Sequence, residues 1–316
     1  MAYRGRQSAC IENDFLRVTV LREGGHIAEI LEKTTGVNPL WTPPWPSVEP
    51  STVDSDGSDA QLLAGIMGHN VCLDLFGGPS AEEAAAGLGP HGEGPVTPYE
   101  IATSGTRLTM SALLPLAQIR FERTVELRGG TVEIAETVES LAAFDRPIGW
   151  TQHVTLGPPF LERGVTAFQL SATRAKSFET AFGADDYLEP NVELPSGPHV
   201  FTSAAKSSAY TAHLMDAASE QAYFTASHPG LKLEFGYRWK RSDFPWLGIW
   251  EENHSRLNAP WNGQTLARGM EFGVSPMPET RRQMVERGTL FGVPAFRWLP
   301  ARGRLEARYS AFAKAF

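Results

Sequence analysis

The stretch "AQIRFERTVELRGGTVEIAETVESL", residues 117–141, decides the fold class. Ile119, Phe121, Val125 and Leu127 share one parity before Gly129-Gly130, and Val132, Ile134 and Val138 share one after it. A period of two puts such side chains on one face of a strand, and a glycine pair between two such runs marks a tight hairpin. A two-residue turn there pairs Leu127 with Val132 and Val125 with Ile134. The same register sets Arg123 opposite Glu136, the two charges that interrupt the apolar faces. Cross-strand neutralisation accounts for both, and it is preferred over a ligand-binding role for Arg123.

The same alternation recurs on either side of this stretch. "FLRVTVL" (15–21) is followed by a turn at Gly24-Gly25 and a second strand. Further strands are expected at "QAYFTAS", "LKLEFGYRW", "WLGIWEE", "MEFGVSP" and "RLEARYSAF". Regular strand-and-turn spacing without intervening long helices predicts one large antiparallel β-sandwich, an all-β fold with a few short helices, over residues 1–316. Two segments break the pattern. Residues 38–59, "NPLWTPPWPSVEPSTVDSDGSD", carry five prolines and read as an ordered loop near a site, with Trp41 and Trp45 inside it. In "PSAEEAAAGLGPHGEG" (79–94), Ser80 and Glu83 form a capping box for one short helix that Gly87 can end.

Net charge is -8, which argues against a nucleic-acid or anionic-membrane surface and fits a neutral substrate better than a strongly anionic one. Cys10 and Cys72 lie far apart in no C-x-x-C spacing, so the expectation is a reducing cytoplasm with no disulfide framework. The first residues, "MAYRGRQSACIEND", have no apolar core of a signal peptide. No apolar run approaches the roughly 20 residues that span a bilayer.

Polar chemistry gathers in four places. "GIMGHNVCLDLFGGPS" (65–80) holds His69, Asn70 and Asp74; "GPHGEGP" (89–95) holds His91 and Glu93. "GWTQHVTLGPP" (149–159) places His153 beside Trp150, and "PWLGIWEENHSRLNAPWNG" (245–263) places Glu251, Glu252 and His254 among Trp246, Trp250 and Trp261. Aromatic plates beside carboxylates, amides and imidazoles suit a sugar, whose C–H face stacks on rings while its hydroxyls need polar partners. No H-x-H or H-E-x-x-H spacing supports a metal site, no G-x-S-x-G a nucleophile elbow, and no glycine-rich loop a nucleotide. His199, His213 and His228 are read as incidental, and His26 as packing or turn chemistry.

The order of these motifs resembles the aldose 1-epimerase (galactose mutarotase-like) family, in a divergent form. "LRVTVLREGGHIAEILEKTTGVNPLW" (16–41) is similar to that family's opening, and "GHN" (68–70), "PHGEG" (90–94), "TQHVT" (151–155) and "LGIWEEN" (247–253) follow in its order. His69-Asn70 stands where the family often supplies an arginine, and its "D-H-x-F" phrase has no clear counterpart. The resemblance implies a β-sandwich with a cleft on one concave sheet, binding a small-molecule carbohydrate without cofactor or metal. It implies His153 as acid and Glu251 as base in anomer interconversion, with His91, His69, Asn70, Asp74, Trp150 and Trp250 lining the cleft. Glu252 and Glu271 stay open as alternative bases. A non-catalytic sugar-binding protein, a sugar-phosphate epimerase or another carbohydrate enzyme are the alternative functions; Arg256 with Lys240-Arg241 would serve the phosphate reading.

Overall fold

A computed structural model describes residues 1–54, 59–197 and 206–316. The hairpin forms as read: Ile119–Arg128 pairs antiparallel with Thr131–Ser140, with Arg123 opposite Glu136 and Leu127 opposite Val132. Its alternating exposure follows from position, since one face packs inward and the other meets solvent.

Among the described residues, two large sheets stack, one of twelve strands and one of eight. The eight-stranded sheet centres on Arg304–Ala315, which lies between Leu233–Lys240 and Thr131–Ser140. The middle of the larger sheet runs, in spatial order, His69–Asp74, Arg146–Leu156, Leu266–Gly273, Trp246–Asn253 and Ser207–Met215, all antiparallel. Side chains from both sheets form the main core, including Ile134, Val138, Phe235, Tyr237, Trp150, Val154, Leu247, Ile249, Met270 and Phe272.

The middle strands of the larger sheet are buried on both faces, and this positions the site. Trp246–Asn253 has no exposed residue. Leu247 and Ile249 enter the main core, whereas Trp246 and Trp250 join a second apolar layer with Trp41, Leu62, Ile66, Phe76, Tyr210 and Trp261. That layer is supplied by the proline-rich segment and the Ala60–Gly65 helix, which close over the sheet. The described part of 38–59 is thus an ordered cover, pinned where Trp45 Nε1 donates to the Leu63 carbonyl. The capping-box helix spans Ala81–Ala85, with Ser80 and Glu83 bonded reciprocally. Among the described residues no helix is long and apolar enough to cross a membrane.

Buried polar groups between the sheets form a closed network. Glu136 accepts from Arg123 Nε at 2.6 Å, Trp150 Nε1 at 3.0 Å, Gln152 Nε2 at 2.6 Å and the Tyr309 hydroxyl at 2.6 Å. Gln152 Oε1 takes Arg123 Nη2 and His69 Nε2. Because that oxygen only accepts, His69 carries its proton on Nε2, and Nδ1 accepts from the Tyr237 hydroxyl at 3.0 Å.

Candidate active site

His153 lies mid-strand, and its two neighbours across the sheet are Asn70 and Glu271. Directly paired residues point to the same side. Asn70, His153 and Glu271 therefore form one polar row on the face away from the second sheet. The next position in that row is Gly248, opposite Glu271. A Cβ there would lie 2.1 Å from the Tyr210 hydroxyl, so only glycine lets that ring lie across the strand. Gly269 serves the same end: a Cβ on it would lie 2.2 Å from Glu271 Oε1.

These groups floor a cleft of about 670 Å³, part of it open solvent. His91, His153 and Glu271 supply its polar floor, and Tyr210, Trp250, Trp261, Phe182 and Leu62 its apolar walls, with Asp59 and Arg256 also lining it. His153 Nε2 lies 3.1 Å from Glu271 Oε1, but off the hydrogen-bonding direction, so the oxygen has no aligned donor. The His91 and His153 rings meet edge to face, 5.2 Å between centres, and Trp250 stands 6.2 Å from His153. His91 Nδ1 lies 2.6 Å from the Phe76 carbonyl. A carbonyl only accepts, so Nδ1 carries the proton and neutral His91 keeps Nε2 as an acceptor.

Burial pushes the Glu271 carboxyl up to about 8. Burial, and then neighbouring His91, holds the His153 imidazole well below its ordinary value. Both shifts disfavour charge on groups that burial removes from solvent. With the Glu271 carboxyl at about 8 and the His153 imidazole held low, the two groups together carry one proton near neutral pH. Three buried polar atoms near this floor lack a protein partner: Glu271 Oε1, Trp250 Nε1 and Asn70 Nδ2. Groups left so are costly unless a ligand or water meets them. Among the described residues no group of three or more His, Cys, Asp or Glu side chains is placed to hold a metal ion.

His153, His91 and Trp250 thus come together at the cleft, with Asn70 in the same row, and four of the expected residues do not. Glu251 shares the parity of Leu247 and Ile249, so it turns to the opposite face, where it pairs with Arg268 and accepts from the Tyr187 hydroxyl. Glu252 points to the cleft side, but its carboxylate is taken by the Ser255 amide and hydroxyl. Glu271 is the carboxylate that reaches His153. His69 and Trp150 belong to the polar network between the sheets. Asp74 is clasped by Arg146 and by Arg281, the latter through contacts of 3.0 and 2.7 Å. Glu93 accepts from the Leu116 and Ala117 amides. Tyr210 and Phe182 carried no local signal in sequence. His199 lies outside the described residues.

No protein-family model matches the sequence, and no curated protein sequence matches it. Solved structures do match. A provisionally named aldose 1-epimerase from Klebsiella pneumoniae superposes with a TM-score of 0.71 at 14% identity, over 99% of this chain and 81% of that one. The chain has the galactose mutarotase-like fold. A galactose mutarotase-like protein from Clostridium acetobutylicum gives 0.66 at 10% identity, over 100% of this chain and 97% of its own. A galactose mutarotase related enzyme from Lactobacillus acidophilus gives 0.61 at 12% identity, over 98% of each chain. Within the mutarotase-like fold, the cleft lies on the outer face of the larger sheet, at its middle strands.

Proposed function

We propose that the protein is an aldose 1-epimerase, interconverting the anomers of a small sugar by acid–base catalysis at His153 and Glu271. The observation that carries the reading is the 3.1 Å approach of His153 Nε2 to Glu271 Oε1 on the floor of an aromatic-walled cleft.

Mutarotation moves two protons and needs no redox partner. The anomeric hydroxyl loses its proton as the ring oxygen gains one, and the C1–O5 bond breaks to give the open-chain aldehyde. Rotation about C1–C2 presents the other face, and the reverse transfers close the ring. A pair holding one proton suits this, because one member gives while the other takes. Each transfer contributes about 10²–10⁴-fold. Depressed charge on both groups keeps neither locked as a spectator ion pair. Through its free Nε2, His91 accepts a sugar hydroxyl, and the indole N–H of Trp250 donates to another. The aromatic walls of the cleft meet the C–H face of the pyranose.

Polarimetry of freshly dissolved α-glucose and α-galactose tests the reading. Addition of the protein should speed equilibration of at least one sugar in proportion to its concentration. A rate equal to that of buffer, for these and for a panel of other aldoses, would overturn it.

A further inference from the structure

Arg256 is the one guanidinium or ammonium group among the described residues lining the cleft. Three rings hold it: its guanidinium carbon lies 4.6 Å from the Trp261 centre, 5.4 Å from Trp250 and 5.5 Å from Phe182. Glu252 Oε2 approaches Nε at 3.4 Å and also accepts from the Ser255 hydroxyl at 2.9 Å, while its Oε1 accepts from the Ser255 amide at 2.6 Å, the Ser255 hydroxyl at 2.8 Å and the Arg256 amide at 3.1 Å. Among the described residues no acceptor bonds the two terminal nitrogens. Aromatic contact restrains the guanidinium plane, and Glu252 takes its Nε edge. What remains is the two-pronged edge that grips a carboxylate with two parallel hydrogen bonds.

We propose that the preferred substrate carries a single carboxylate, as in a hexuronic acid, and that Arg256 receives it while the histidines and Glu271 meet the anomeric end. The proposal rests on the epimerase reading for the second half of that statement and on Arg256 alone for the first. Charge counting selects a carboxylate over a phosphate. The acidic side chains of Asp59 and Glu252 flank the same guanidinium. The cation and the two carboxylates sum to -1, so a dianionic phosphate is opposed about twice as strongly as a monoanion, whose repulsion the two-pronged hydrogen bond offsets.

Trp250 and Trp261 line the cleft, so intrinsic fluorescence reports binding directly. The wild-type chain is titrated with galacturonate and glucuronate, with the matching neutral hexoses, with glucuronamide, and with glucose 6-phosphate. The expected result is at least about tenfold tighter binding of a uronate than of its hexose or amide, the size of one charge-assisted pair. Arg256→Gln should abolish that preference, and Arg256→Lys should keep part of it. Equal affinity for uronate and hexose in the wild type overturns the proposal without any variant, and so does tighter binding of glucose 6-phosphate. Polarimetry on the same sugars separates the two readings. Uronate binding without faster mutarotation refutes the epimerase and leaves the carboxylate site standing. Faster mutarotation of neutral hexoses with no uronate preference does the reverse.

Discussion

Removing Arg123 alone should cost more than any surface substitution in this chain. Arg123 and Glu136 have no solvent-exposed side-chain area, and their contact is 2.6 Å. Arg123→Met keeps much of the volume and leaves Glu136 as a buried carboxylate with three neutral donors, Trp150, Gln152 and Tyr309, and no counter-charge. Breaking one side of such a pair costs about 3–5 kcal/mol. Unfolding entropy of about 2.1 cal/mol/K per residue, scaled to this chain, makes 1 kcal/mol worth roughly 1.5 °C, so the midpoint should fall by about 5–8 °C. The double variant Arg123→Met with Glu136→Gln removes the stranded charge as well. It should recover about 1–2 kcal/mol over the single variant, because the two sites are coupled. Thermal unfolding followed by circular dichroism and calorimetry measures both. A single variant within about 1 °C of wild type, or a double variant that loses the sum of the two single losses, would refute the reasoning.

Three other outcomes follow from the cleft. The Glu271 carboxyl is raised to about 8 from an ordinary 4.5, so the folded state holds a proton that the unfolded chain releases. That contribution is full below pH 4.5 and is lost as pH rises through 8. Glu271→Gln has no such loss, so its midpoint relative to wild type should climb between pH 5 and pH 8.5, and a flat difference across parallel melts would contradict this. Gly269→Ala puts a Cβ 2.2 Å from Glu271 Oε1 and must turn the carboxyl, costing on the order of 10²-fold in mutarotation rate by polarimetry. Gly248→Ala drives a Cβ to 2.1 Å from the Tyr210 hydroxyl, breaking its bond to the Pro276 carbonyl, and should destabilise by about 1–3 kcal/mol in urea titration.

The hairpin was legible to the residue because its signals are local. A glycine pair sets the register, and the register alone pairs Arg123 with Glu136. The capping box at Ser80 was legible for the same reason. The sandwich followed from alternation repeated along the chain. Which of Glu251, Glu252 and Glu271 stands beside His153 was not legible, because parity along 246–253 is decided from outside the strand. Trp246 and Trp250 are as apolar as Leu247 and Ile249, and both faces are buried. Only the cover built by residues 38–54 and the Ala60–Gly65 helix tells cleft from core. Likewise His69 and Asn70 are adjacent polar residues on opposite faces, and the partner that claims His69 is Tyr237, 168 positions away. Glu271 sits in an unremarkable "MEFG", and nothing near it in sequence announces His153 as its cross-strand neighbour.

In the proposed mechanism Glu271, beside His153, takes part in the proton transfers, and Glu251 does not. Polarimetric mutarotation of the best sugar found for the wild type, run side by side with Glu271→Gln and Glu251→Gln, tests it most directly. The account predicts that Glu271→Gln falls by about 10²-fold or more, while Glu251→Gln keeps a rate within a few-fold of wild type on the fraction that remains folded. Full activity in Glu271→Gln, or a selective loss in a well-folded Glu251→Gln, would contradict it.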